Sequence, residues 1–174
     1  MEYITPAVEI TTFENVSMLT FSNVSTLAPF ASFSEVFGWV AKAGINVDMI
    51  SQTPPKSDSV SLAFTVSDDD FGKLLTVIGS VKEKYPAILP LVSSGNVKIR
   101  VYSAEMIHTV GMAARIFEAL ERAKVQSLLV TTSETDVSVL VAPGYEPGAV
   151  EAIQKAFEPG TRAGKRGDNP PDPS

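Results

Sequence analysis

Apolar positions along the chain recur in two rhythms. Residues Val16 to Ser22 alternate with a period of two, the pattern of a strand. Phe33, Val36, Phe37 and Val40 then share one face of a helix predicted over 32–43, and Gly44 supplies a left-handed stop. Ile45 to Gln52 reads as a strand and the proline-bearing run from Thr53 to Asp58 as a turn. Val60, Leu62, Phe64 and Val66 alternate, as in a strand buried on one face. Ser67 followed by Asp68, Asp69 and Asp70 marks an N-cap with acidic residues at the positive helix end. That helix runs to Lys82 and Lys84 and stops before Pro86, and a short strand follows over 87–92.

The order then repeats. Asn15 to Phe21 aligns with Asn96 to Tyr102, Val36 to Val40 with Ile116 to Leu120, Ile45 to Val47 with Val125 to Ser127, and Ser59 to Phe64 with Thr135 to Leu140. In the second copy a helix is predicted over 111–124, strands over 125–132 and 135–141, and a closing helix over 146–157. Strand-helix-strand-strand-helix-strand is the ferredoxin-like plan. The second copy lacks its last strand, and residues 1–12, with Ile4, Val8 and Ile10, are the one unassigned strand-like segment. The expectation is an α+β protein with two ferredoxin-like domains in tandem. The first covers 14–93; the second covers 94–158 and is completed by residues 1–13. The Gly-, Pro- and charge-rich stretch 159–174 buries no apolar surface and is expected to be a disordered tail.

Composition narrows the chemistry. The 174 residues contain no cysteine and one histidine, His108, so thiol chemistry is excluded and no metal site is expected. His108 has no G-x-S-x-G segment to serve, and no catalytic residue is assigned. The net charge of −6, and strands without the aromatic pattern of an RNA-binding sheet, oppose a nucleic-acid partner. No apolar run reaches the length of a membrane span and the N-terminus has no signal-peptide pattern, so a cytoplasmic location without membrane partners is expected. Asp68 to Asp70 reads as a capping cluster rather than a magnesium site.

The run Ala43-Gly44-Ile45-Asn46-Val47-Asp48-Met49-Ile50-Ser51-Gln52 resembles the first ACT domain of aspartate kinases. Gly111-Met112-Ala113-Ala114-Arg115-Ile116-Phe117-Glu118-Ala119-Leu120 resembles the second, Ser133-Glu134 matches a dipeptide that follows the next strand there, and Ile4-Thr5-Pro6-Ala7 sits where that family has its leading strand. The resemblance covers roughly residues 3–158 and is to the regulatory half alone: the phosphate-binding "KFGG" segment of the kinase domain is absent. It implies a non-catalytic, feedback-regulatory module without a cofactor. It also implies a homodimer that binds a free amino acid, lysine or threonine, at seams between domains of paired chains, with a separate kinase subunit as a further partner.

The implied site has two loops. The first comprises Ser25, Thr26, Leu27, Ala28 and Ala31; the second comprises Met106, Ile107, His108, Thr109, Val110 and Gly111. The first departs from the family: Ala28-Pro29-Phe30-Ala31 stands where "DKPG" is usual, which removes a carboxylate and a glycine. The second keeps Gly111 but lacks the usual proline. Gln126 replaces an asparagine. Read from spacing alone, Asn46, Asp48 and Gln52 face one way along a strand, either as an amino-acid clamp or as a solvated strand side. Gly111 is either a turn glycine or the opening of a helix whose free amides take a carboxylate, and His108 is either a ligand contact or an exposed loop residue. A module of the same fold that only assembles, without an effector, is the alternative.

Overall fold

The computed structural model describes residues 7–25, 29–55, 59–158 and 161–163. The chain divides into two compact units, one built on Asn15–Gly95 and the other on Met1–Glu14 with Asn96–Pro171. Two long strands, β1 (Val8–Ser25) and β4 (Leu89–Tyr102), each contribute to both units. The crossings lie at 14/15 and 95/96, against the 13/14 and 93/94 expected from the repeat.

The first unit takes 15–25 of β1, α1 (Pro29–Lys42), β2 (Ile50–Gln52), β3 (Ser59–Ser67), α2 (Phe71–Lys84) and 89–95 of β4. Its strand order is β2-β3-β1-β4. β1 pairs antiparallel with β3 from Val16 opposite Ser67 to Ser25 opposite Ser59, with a register shift between Phe21 and Val24. Asn23, at φ 63, sits inside that shift. One core gathers Leu19 and Phe21 from β1, Val36 and Val40 from α1, Val60, Leu62, Phe64 and Val66 from β3, and Leu74, Val77 and Val81 from α2. The period-two strand faces and the helix stripes meet there, and each buried aliphatic or aromatic side chain contributes about 1.5–3 kcal/mol of transfer free energy. Phe64 is fully buried, with ring centroids 6.4 Å from Phe21 and 5.4 Å from Phe37.

The second unit takes 8–14 of β1, 96–102 of β4, α3 (Met112–Arg122), β5 (Ser127–Thr132), β6 (Asp136–Val141), α4 (Glu146–Phe157) and β7 (Thr161–Ala163). Its strand order is β1-β4-β6-β5, with β7 parallel to β1 from Val8 opposite Thr161 to Ile10 opposite Ala163. The N-terminal strand supplies Val8 and Ile10 to a core with Val97, Ile99 and Val101 of β4, Ile116 and Leu120 of α3, Val137, Val139 and Val141 of β6, and Ile153 and Phe157 of α4. Ile4 lies outside the described residues.

Several expectations need correction. The strands expected over 1–12 and 16–22 are continuous from Val8 to Ser25, and those over 87–92 and 96–102 from Leu89 to Tyr102, because Asn15 (φ 59) and Gly95 (φ 69) bend the backbone at single left-handed residues without ending the ladder. Residues 161–163, expected in a disordered tail, form β7; the rest of 159–174 lies outside the described residues. α1 starts at Pro29 rather than Ser32, with proline at a first-turn position where its missing N–H costs nothing.

The repeat alignment holds for the helices but slips by one in the strands. Leu19 and Phe21 share the core role of Ile99 and Val101, and Leu62, Phe64 and Val66 that of Val137, Val139 and Val141. A one-residue slip in a strand exchanges its two faces.

Candidate functional site

The first candidate loop is bounded by Ser25, the exposed last residue of β1, and by α1. Thr26, Leu27 and Ala28 lie outside the described residues, and Ala31 falls within the first turn of α1. No acidic residue stands in that turn. The middle of α1 is tied down from the side: Glu35 accepts hydrogen bonds from Lys84 Nζ and Tyr85 Oη, each at 2.5 Å, at the end of α2. The Lys84 bond first and the Tyr85 bond second hold the Glu35 carboxyl below its ordinary range, and the same carboxylate pushes Lys84 and Tyr85 up.

Asn46, Asp48 and Gln52 are all exposed, but only Gln52 lies in the regular strand. The Asp48 N–H donates to Thr65 O at 3.1 Å while the Thr65 N–H donates to Met49 O at 3.0 Å, so two residues oppose one. The Met49 N–H also donates to Thr65 Oγ1 at 3.0 Å. Val47 packs against the first core, and Ile50, three residues on, is paired with Phe64 of that core. Strict alternation would put 47 and 50 on opposite faces. The bulge therefore turns Asn46 and Asp48 to the other side of the strand from Gln52, and the shared face expected from spacing does not form.

The second loop is better defined. Ser103 caps a 3-10 turn over Ala104–His108 by accepting from the Glu105 N–H at 3.3 Å. Met106 packs partly against the second core, Thr109 is half-buried, and Ile107, His108, Val110 and Gly111 are exposed, with Ile107 at 54% and Val110 fully so. Gly111 is the N-cap of α3 at φ 91, and no side chain caps that end. A Cβ on Gly111 would meet no atom within 4 Å, so the glycine is there for its dihedral angle rather than for space. Uncapped amides at the start of an 11-residue helix attract a carboxylate. The two loops belong to different units, and Ser133, read as part of a family motif, closes a turn by accepting from the Thr135 and Asp136 N–H groups.

Three features escaped the sequence: the Glu35–Lys84–Tyr85 cluster, the Asp48–Met49 bulge, and a bond from Ser17 to Asp68 at 2.5 Å. Each joins residues far apart in sequence or depends on one backbone irregularity, and neither leaves a spacing to read. An open groove of about 450 Å³ runs over α3 and α4, floored by Ala119, Gly148, Ala152 and Ala156, and no predicted site residue lines it. Among the described residues there is no group of acidic or histidine side chains placed to hold a metal, and no helix long and apolar enough to cross a membrane.

The chain matches the family model of the ACT domain over residues 99–157. Its particular likeness is to the regulatory part of aspartate kinases. It is 33% identical over 129 residues to an aspartokinase of Bacillus sp. (strain MGA3), a match that takes in 73% of this chain and 31% of that protein. The chain thus spans about a third of the length of the curated relatives it matches. The solved regulatory subunit of aspartate kinase from Thermus thermophilus, in its ligand-free form, superposes with a TM-score of 0.79 at 23% identity, over 88% of this chain and 99% of that one. A structure of aspartokinase alpha and beta subunits gives 0.77 at 27% identity, over 86% and 97%.

Proposed function

We propose that the chain is a non-catalytic amino-acid-binding module of two ferredoxin-like ACT domains, 15–95 and 96–158 completed by 1–14. In this reading it regulates an aspartate kinase by feedback. The observation that carries the reading is coverage: the Thermus thermophilus regulatory subunit is matched over 99% of its length, so the likeness is to a whole regulatory subunit rather than to one domain. The proposed site uses the α3 start at Gly111 for the effector carboxylate, with the 106–111 loop around it. Gln52 or the Asn46–Asp48 pair supplies acceptors for the ammonium group. Paired chains in a homodimer bring a first unit to a partner's second unit, and a separate kinase subunit is the regulated partner. Lysine and threonine are the first effectors to try, on family resemblance.

Isothermal titration of the chain against the twenty amino acids tests this. Loss of one buried hydrogen bond to a charged ligand group costs about tenfold or more in affinity. Asp48→Ala and Gln52→Ala should weaken binding on that scale, and Asp69→Ala, exposed at the start of α2, should not. Because the bulge separates Asp48 from Gln52, one of the two is expected to dominate. The departure of the first loop, with no acidic residue in the first turn of α1, favours a second reading as an effector-free assembly module. That reading takes over if the parent chain binds no amino acid, while sedimentation equilibrium showing only monomer would remove the shared-site arrangement altogether.

A further inference from the structure

One edge of the sheet is finished differently in the two units. In each, the last strand on one side is the stretch before a left-handed residue: 89–94 of β4 before Gly95 in the first unit, and 8–14 of β1 before Asn15 in the second. At the spacing set by Asn15 and Gly95, Val8 matches Ile88, Glu9 matches Leu89 and Ile10 matches Pro90. Val8 and Ile88 are both buried in their own cores. A last strand presents a row of unpaired N–H and C=O groups to any extended chain that comes alongside. In the first unit that row is broken by Pro90, which has no N–H, and among the described residues no further strand pairs there. In the second unit no proline stands within 8–14, and β7 has added itself to the edge.

The register of β7 shows what this edge accepts. It runs parallel to β1, with Val8 opposite Thr161, Glu9 opposite Arg162 and Ile10 opposite Ala163. Val8 and Ile10 are committed to the core, so the residue of this stretch left for a newcomer is Glu9, which is exposed. A basic residue is therefore set against a carboxylate; opposite charges on neighbouring strands stabilise a ladder and like charges weaken it. In strand addition the main chain supplies the affinity and the side chains supply the choice. β7 is only three residues long and parallel, the weaker ladder per residue, so it is a pairing that can be displaced. We propose that the outer edge of β1 at Val8–Ile10 is a strand-docking site, selective for an extended segment that sets a basic residue opposite Glu9. The chain fills it with its own β7, and the 161–163 segment of a second copy enters when that strand is displaced. The site uses none of the residues assigned to the effector and stands whether or not the chain binds an amino acid.

Arg162→Pro takes the central N–H out of β7, and a chain ending at Glu158 lacks β7 altogether; both keep the core of the second unit through Phe157. Hydrogen exchange over Val8–Ile10 should quicken about tenfold or more in both, and slow again when a peptide of residues 158–164 is added. The labelled peptide should bind either opened chain about tenfold or more tightly than it binds the parent, whose own β7 competes at the high effective concentration of a short tether. A peptide carrying Arg162→Glu should bind the opened chains about threefold or more weakly, and Glu9→Lys in those chains should reverse the preference. Parental exchange rates in both opened chains overturn the proposal, as does a peptide that binds the parent equally well or binds no chain at all. Equal binding of the parental and charge-reversed peptides overturns the selection by Glu9. If Arg162→Pro does not fold, the chain ending at Glu158 decides each of these outcomes.

Discussion

From the crossing to the end of the first helix, the two units match position for position. Asn15 corresponds to Gly95, Leu19 to Ile99, Val36 to Ile116 and Gly44 to Lys124, all at one constant spacing. Where the side chains agree, the fold is being specified; where they differ, each unit has solved the same problem with different chemistry. Both first helices end in a left-handed residue, Gly44 at φ 66 and Lys124 at φ 54, although only one is glycine. Both are tied to the second helix from one matched position. Glu35 bonds Lys84 and Tyr85, whereas Arg115 lies over the Phe157 ring at 5.5 Å. The first core is partly aromatic, with Phe21 and Phe64 on neighbouring strands, while Val101 and Val139 stand in their places in the second. The architecture therefore depends on the burial pattern and the positions of the bends, not on particular residues.

The comparison is tested hardest in the cores. Phe64 and Val139 are both fully buried at matched positions. Phe64→Ala should destabilise the chain by about 3–5 kcal/mol, from lost transfer energy and an unfilled cavity against Phe21 and Phe37. Val139→Ala removes two methyl groups and should cost about 2 kcal/mol. Urea unfolding midpoints read both. Equal costs would mean that the first unit does not depend on its aromatic cluster more than the second depends on its valines.

How much of this was legible follows from the same residues. The helix faces were, because Phe33, Val36 and Val40 repeat with a period that also fixes register, and Gly44 marks an end. The strand registers were not: Leu19 aligned with Arg100 on sequence but shares its role with Ile99, since a period of two offers no landmark against a slip of one. Residues 1–12 and 16–22 read as separate strands, as do 87–92 and 96–102, yet a single left-handed residue bends a strand without ending it. Of the candidate site, the 106–111 loop was legible through Gly111, whose positive φ requires glycine. The Asn46–Asp48–Gln52 clamp was drawn from alternation, and the Asp48–Met49 bulge, which no residue type announces, broke it.

The helix ends sharpen the comparison at a smaller scale. The Gly44 N–H donates to Ala41 O and the Ile45 N–H to Val40 O; the Lys124 N–H donates to Glu121 O and the Val125 N–H to Leu120 O. These are the same paired bonds of a left-handed helix stop. A Cβ in that conformation costs about 1–2 kcal/mol, which Lys124 bears and Gly44 avoids. Nothing lies within 4 Å of a Cβ on Gly44, so the penalty there is conformational only. Gly44→Ala should lower stability by about 1 kcal/mol and Lys124→Gly should raise it by about the same. Denaturant midpoints moving in the same direction for both would show that the two ends are not equivalent.

The smallest effect distinguishes the two helix ties. The folded Glu35 carboxyl lies below its ordinary value of 4.5, chiefly through the Lys84 hydrogen bond and then the Tyr85 hydroxyl. Its folded value is the lower one, so the tie stabilises the fold above the unfolded value, and that contribution is lost as the pH falls through the folded value. Lys84 and Tyr85 are raised by Glu35, so their share is present below their unfolded values of 10.5 and 10.0 and lost as the pH climbs through the raised ones. All three side chains sit at the surface, where water and salt screen the interaction. Glu35→Gln should therefore lower the thermal midpoint slightly at neutral pH. The deficit should shrink as the solution is acidified through 4.5 and beyond, and added salt should reduce it. Arg115→Gln removes a guanidinium from an aromatic face, and a guanidinium keeps its charge across this whole range. Its deficit should stay flat over the same pH series. Parallel profiles for the two variants would show that Glu35 acts through packing rather than through charge.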